Sequence, residues 1–493
     1  MSTLAKASIS GIKWSALTQL VAQIAQYGSF VLLARLLSPE DFGVVACATL
    51  VVNFVAMLNE LGLGAALIQR SELTAGHLNA CFWSNVAAGL ALALVVGGSA
   101  GWVAGFFHSP ATAPLLVALA LGFPMIALAV VPKTLMEKAL RFKELGLVDA
   151  GAAIANASVA VTMAATGWGA WSLVAGTLVG YAIQLVAVWP LAGWKPGLRF
   201  ARTELNELFA FGLNVLGTRV VGYVNANIDY IVIGRMLGPA ALGVYSLAYK
   251  LVTWPMLKIS HVVLRVMFPA FARIQDDDEA LRRHYGTLVG TLALVTYPLL
   301  AGLAVMAPEA LPLVFGPRWA GAVEPVRALC LAGALKATIC SIGTVFLTKG
   351  RPDLEFRSNM LGTVMLAIYV PLGVRFGTEG VAYAIALVTL VGGSWQQLLA
   401  NRLLGLDART YLAAIRPQAL AALAGAAALV ALRWAGQALP PLALLALAVP
   451  LFGGVYLGLL TALGYNWPKR LSPAGVTVKL SRFRRKGFTR QAS

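Results

Sequence analysis

Ala34-Arg35-Leu36-Leu37-Ser38-Pro39-Glu40-Asp41-Phe42-Gly43-Val44 returns two hundred residues later as Gly234-Arg235-Met236-Leu237-Gly238-Pro239-Ala240-Ala241-Leu242-Gly243-Val244. Arg, Leu, Pro, Gly and Val keep their register, and Thr18 upstream matches Thr218. Apolar segments resemble one another by chance, but an Arg-x-Leu-x-Pro-x-x-x-Gly-Val frame is not a product of apolar composition. Six membrane spans separate the copies, so both cross in the same sense. That makes a parallel repeat, two lobes related by an axis along the membrane normal. A fainter echo links Gly167-Trp168-Gly169-Ala170-Trp171 to Gly377-Thr378-Glu379-Gly380-Val381.

The copies sit in a chain of 493 residues that is 59% hydrophobic and 12% charged. Soluble proteins carry about 25% charged residues, so most soluble classes are excluded. Apolar stretches long enough to cross a core ~30 Å thick recur from end to end. Fourteen spans are expected, near 12–36, 42–67, 78–107, 111–132, 145–166, 169–192, 206–236, 240–271, 285–307, 323–348, 357–376, 380–404, 411–434 and 440–463. Lipid offers the backbone no hydrogen bonds, so each is a helix. Prolines such as Pro124 and Pro255 are expected to break some of them. The fold class is an all-α polytopic membrane protein with two six-helix lobes. The expected domains are a first lobe at 1–194, a linker at 195–205, a second lobe at 206–404, an extra helix pair at 405–465 and a basic tail at 466–493.

Lys and Arg number 38 against 20 Asp and Glu, a formal charge of +18. With both termini placed in the cytoplasm, 27 of the 38 basic residues fall on that side and five on the other. This strong positive-inside bias fits an even number of spans. It also accounts for the charge without nucleic acid, and it assigns the tail to anionic lipid of the inner leaflet. No removable signal peptide is read at the N-terminus. Cys47, Cys81, Cys330 and Cys340 lie in apolar stretches without metal-ligand spacing and read as buried thiols. Gly97, Gly101 and Gly105 form a small-xxx-small series that reads as a close helix contact. No phosphate-binding glycine loop follows a strand, and no cofactor is expected.

Charges inside spans carry the functional argument. In the eighth span Lys250, Lys258, His261 and Arg265 fall at about 0, 80, 20 and 60° around a helix advancing 100° per residue. They cover roughly 22 Å along the axis. Facing lipid, each cation would cost on the order of 2.5–3.5 kcal/mol near the centre. Arg265 and Lys250 can snorkel, whereas Lys258 and His261 lie near mid-depth. Arg219, Arg327 and Lys336 add cations, and the internal carboxylates Glu60, Asp229 and Glu324 are fewer. The face therefore reads as the wall of an anion-accepting cavity, with pairing to carboxylates as the alternative. In the seventh span Asn214, Thr218, Arg219, Asn225 and Asp229 form a polar stripe, and its counterpart in the first span holds Ser15, Thr18, Gln19, Gln23 and Gln26. These read as the lining of a hydrophilic lumen between lobes, or as interhelical hydrogen bonding.

The turn from Ala34 to Gly43, the Phe82-Trp83 pair, and the stretch from Pro132-Lys133 to Phe142-Lys143 resemble those of Wzx-type polysaccharide flippases. The likeness covers essentially the whole chain and is nearest the colanic-acid-exporter-like branch, within the superfamily that includes lipid II flippases and MATE drug exporters. It implies a non-enzymatic carrier that works by alternating access. Its cargo would be an undecaprenyl-diphosphate-linked oligosaccharide, moved across the bacterial inner membrane for surface polysaccharide assembly. On that footing Lys250, Lys258, His261, Arg265 and Arg219 would hold the diphosphate. Gln19, Gln23, Gln26, Asn214, Thr218 and Asn225 would line the cavity. Asp229 or Glu60 would couple an ion gradient, with His261 a further candidate because a free imidazole titrates near neutral pH. Expected partners are the lipid-linked oligosaccharide, membrane lipids, and a polysaccharide polymerase with its chain-length regulator. A MATE-like drug exporter would want intramembrane carboxylates, and a membrane glycosyltransferase or ligase would want a sizeable outer loop. A lipid II flippase would share the cationic cavity.

Overall fold

The computed structural model describes residues 3–59, 74–197, 220, 222–272, 274–275 and 277–465. Glu60, Asn214, Thr218, Arg219, most of the 195–205 linker and the basic tail lie outside these residues. The helices are α1 (Thr3–Leu36), α2 (Pro39–Asn59), α3 (Ala75–Phe106), α4 (Thr112–Ala120), α5 (Gly122–Lys138), α6 (Phe142–Ala165) and α7 (Trp171–Ala192). After the helical stretch 222–236, here α8, come α9 (Gly238–Ala272), α10 (Asp278–Phe315), α11 (Val323–Ile339) and α12 (Ile342–Thr348). The last four are α13 (Pro352–Gly373), α14 (Gly377–Leu404), α15 (Ala408–Ala435) and α16 (Pro441–Ala462). Among the described residues there is no strand, and eleven helical segments are long and apolar enough to cross a membrane. The chain spans the bilayer many times. Pro124 falls in the first turn of α5, where proline is tolerated. Helix α9 runs unbroken through Pro255.

The chain forms two compact units, 1–246 with 314–319, and 247–313 with 320–493. The division falls inside α9 because the start of that helix packs against α2. The repeated motifs meet there. A Cβ built on Gly43 would fall on the carbonyl oxygen of Pro239, and one built on Gly243 would fall on the carbonyl oxygen of Pro39. Each motif thus presses its glycine onto the other's proline, the reciprocity expected of a two-fold contact.

The arginines repeat the exchange. Arg35 Nε donates to the Val314 carbonyl at 2.7 Å, and Arg235 Nη1 donates to the Phe106 carbonyl at 2.7 Å. Both acceptors lie in the last turn of a helix, where carbonyls lack partners within the helix and a cation is favoured. His108, in the left-handed region at φ 50°, stands 2.6 Å from the same Arg235 nitrogen. Beside Arg35, the fully buried Trp319 donates to the Ala34 carbonyl at 2.7 Å and meets Phe42 edge-on at 5.2 Å. At the position matching Ala34, a Cβ on Gly234 would meet the ring of Phe107.

The first copy carries an addition. Ser38 and Asp41 cap α2 reciprocally: Ser38 N and Oγ donate to Asp41 Oδ2 at 2.9 and 2.7 Å, and Asp41 N donates to Ser38 Oγ at 3.1 Å. Asp41 Oδ1 also accepts from Ala170 N at 3.0 Å, which ties the turn before α7 to the start of α2. The second copy has Gly238 and Ala241 at these positions. Phe82 packs against Trp83, Trp189 and Trp194 at 5.1 to 5.9 Å, and Trp83 Nε1 donates to the Gly197 carbonyl at 2.9 Å.

In the second unit α15 and α16 dock on α10 through the buried Phe452, Tyr456, Leu294 and Met306. Polar bonds fix the register: Tyr456 Oη to the Leu294 carbonyl at 2.9 Å, Gln418 Nε2 to the Gly290 carbonyl at 3.1 Å, and Arg433 Nε to Glu309 at 2.7 Å. One expectation is corrected here. A Cβ on Gly97, Gly101 or Gly105 meets nothing within 4 Å. Helix α3 turns Val96, Ala100, Val103 and Ala104 inward instead, so among the described residues no helix packs on the glycine face.

Because the reciprocal contact leaves no room for a side chain, Gly43→Ala should destabilise the protein by about 1–3 kcal/mol, the usual cost of overpacking. Gly97→Ala should be near neutral. Thermal unfolding of the two variants in one detergent checks this ranking.

Candidate functional site

Helix α9 is continuous over residues 250, 258, 261 and 265, so the four backbone positions share one helix and one register. Lys250 is half-buried, its Nζ 5.9 Å from the ring centroid of Trp254 one turn along. That distance lies within cation–π range. Lys258 is exposed. Apart from their backbones, His261 and Arg265 lie outside the described residues. On α11, Arg327 Nη1 and Glu324 pair at 2.5 Å, which satisfies one of the intramembrane carboxylates locally.

Two of the residues on α8 are described. Asn225 is half-buried, and Asp229 is 4% exposed. Asp229 Oδ2 accepts from Tyr245 Oη at 2.7 Å, and its Oδ1 accepts from Tyr230 N at 2.9 Å. A carboxylate this deep is tolerated only with such donors. Asp229 is thus a buried carboxyl group held by two donors, on the first unit's side of the division.

The polar stripe of α1 divides along its length. Gln26 is exposed and Gln23 half-buried. Thr18 and Gln19 enter a cavity of about 570 Å³ bounded by α1, α5 and α6, together with Lys133, Glu137, Lys138 and Asp149. Asp149 Oδ1 accepts from Lys133 Nζ at 3.5 Å and from Gln184 Nε2 at 3.3 Å. A Cβ on Gly146 would strike Thr18 Oγ1, so the missing side chain lets α6 approach α1. Nearby, Lys143 Nζ stands 4.7 Å from the ring centroid of Trp14.

Comparison with known proteins gives these features a setting. A family profile described as polysaccharide biosynthesis protein matches residues 32–324. The chain belongs to this family. The polysaccharide biosynthesis relatives include the lipopolysaccharide biosynthesis protein WzxC of Escherichia coli (strain K12), 28% identical over 396 residues, covering 79% of this chain and 80% of that one. The teichuronic acid biosynthesis protein TuaB of Bacillus subtilis (strain 168) is 29% identical over 409 residues, covering 80% and 83%. The succinoglycan biosynthesis transport protein ExoT of Rhizobium meliloti (strain 1021) is 27% identical over 398 residues, covering 79% and 80%. Among solved structures, the lipid II flippase MurJ in an inward closed conformation aligns with TM-score 0.75 at 14% identity, over 91% of this chain and 98% of that one. An inward-facing multidrug MATE transporter of the MOP superfamily aligns with TM-score 0.60 at 14% identity, over 81% and 100%. At such identities the likeness concerns the fold alone.

In this family member two features lie beyond the sequence pattern. The repeat matches Arg35 with Arg235, but nothing in it shows the main-chain carbonyls that they reach. Lys133, Lys138 and Asp149 are far from Thr18 along the chain, and only the approach of Gly146 to Thr18 brings them around one cavity.

Removing the Tyr245 hydroxyl leaves the Asp229 carboxylate short of a donor, a loss of about 1–3 kcal/mol for a buried group. Tyr245→Phe should therefore lower stability much more in the native background than in Asp229→Leu. A double-mutant cycle on unfolding in detergent measures that coupling.

Proposed function

We propose that this protein flips undecaprenyl-diphosphate-linked oligosaccharide repeat units from the inner to the outer face of the bacterial inner membrane, for assembly of a surface polysaccharide. The observation that carries the reading is a superfamily fold shared over nine-tenths of the chain with a lipid II flippase, in a member of a polysaccharide biosynthesis family. The protein acts as a carrier and not as an enzyme. Its moving parts are the lobes 1–194 and 206–404, joined by 195–205 and followed by the helix pair 405–465. Both termini face the cytoplasm, which the 27-to-5 bias of basic residues supports. A polysaccharide polymerase and its chain-length regulator act on the product.

The diphosphate is the part of the cargo that cannot enter hydrocarbon uncompensated. Lys250, Lys258, His261 and Arg265 on one face of α9, with Arg219 before α8, receive it. The neutral groups Gln23, Gln26, Asn214, Thr218 and Asn225 hydrogen-bond sugars during passage. The prenyl chain stays in lipid. Asp229 carries the coupling ion, its burial and its two donors being the support for this role; Glu60 is the second carboxylate of this kind. A drug exporter for cationic compounds would require the opposite sign along α9.

Lys258→Ala should abolish surface polysaccharide export while normal amounts of folded protein remain in the membrane, and Lys258→Arg should retain a substantial part of it. Export assays in a strain deleted for the gene, with membrane levels measured alongside, check both. Native export from Lys258→Ala would remove the diphosphate assignment.

A further inference from the structure

The cavity in the first unit differs in charge from the α9 row. Its four ionised groups cancel, Lys133 and Lys138 against Glu137 and Asp149. A cluster with no net charge supplies little field to gather a diphosphate. Asp149 is moreover already engaged by Lys133 and Gln184. What the lining offers is both hydrogen-bond donors and acceptors. The lysines donate, the carboxylates accept, and the exposed Gln19 does both.

Such a wall suits a neutral ligand rich in hydroxyls, since each hydroxyl can donate once and accept twice. The same lining also carries apolar groups, Leu140, Phe142 and Leu145. A pyranose is built to the same plan, with hydroxyls around its rim and C–H groups on its face. The volume of about 570 Å³ lies within the ~300–1,000 Å³ typical of small-ligand pockets. Mutual pairing of Lys133 and Asp149 also keeps the charges satisfied while no ligand is bound.

We propose that this cavity is a carbohydrate subsite, which takes sugar residues of the lipid-linked cargo while phosphate recognition is left to the cations of α9. The assignment rests on the flippase reading above. It makes the first unit the part of the protein that senses which repeat unit is attached.

The test places a photoreactive p-benzoylphenylalanine at Ala22, a cavity-lining position, and in a separate variant at Trp254, one turn of α9 from both Lys250 and Lys258, in the full chain in native membranes. Two lipids labelled with radioactive phosphorus are offered: the undecaprenyl-diphosphate-linked repeat unit, and undecaprenyl diphosphate without sugar. The position-22 probe should capture the sugar-bearing lipid at least ~10-fold more than the bare one, as a site built to bond hydroxyls rejects a ligand lacking them. The position-254 probe should capture both. Adding Lys133→Ala with Asp149→Ala, which removes the pair without orphaning a charge, should lower capture at position 22 at least ~5-fold and leave capture at position 254 intact. Equal capture of both lipids at position 22, no capture there, or indifference to the double substitution would overturn the subsite while the flippase reading stands. Failure of the sugar-bearing lipid to reach either position would overturn both.

Discussion

The meeting of α2 with the start of α9 depends on two glycines that bring the copies of one motif into backbone contact. Gly43 lies on the carbonyl of Pro239 and Gly243 on that of Pro39. Between helices in lipid there is little hydrophobic drive, so association rests on close packing and on polar bonds. Glycine supplies the first. Once the helix starts are that near, Arg35 and Arg235 reach the carbonyls of Val314 and Phe106, and Trp319 and Phe107 close over positions 34 and 234. Insert one methyl group and the set loses its geometry.

The repeat was readable because its constraint falls on residue identity: a proline opening a helix, a glycine one turn in, an arginine before both. Helix placement was readable for a similar reason, since lipid permits no other backbone. What periodicity could not convey is which face is covered. Gly97, Gly101 and Gly105 show the spacing of a packed interface and meet nothing among the described residues. The α9 row was visible because its four residues lie on a single helix. The cavity of Lys133 and Asp149 was not, since it exists only where α6 comes up against α1 at a residue without a side chain.

The two units also treat polarity differently. In the second, Tyr285 donates to Gln397 at 3.0 Å and Gln397 to Asn401 at 2.8 Å, a buried chain joining α10 to α14. With Arg433–Glu309, Gln418 and Tyr456 it anchors α14, α15 and α16 to the one helix α10. Breaking such bonds in hydrocarbon leaves orphaned groups, so these helices are held together as a block. In the first unit Lys133, Glu137, Lys138 and Asp149 instead stand around a cavity.

The arginine exchange has a consequence for how this protein can diverge. Arg35 and Arg235 address main-chain oxygens, and every residue possesses one. Val314 and Phe106 can therefore drift in identity without loosening the clasp, while neither guanidinium can be replaced by a shorter or single-pronged cation on equal terms. Mutational tolerance should thus be lopsided, generous at the accepting helix ends and narrow at the two donors.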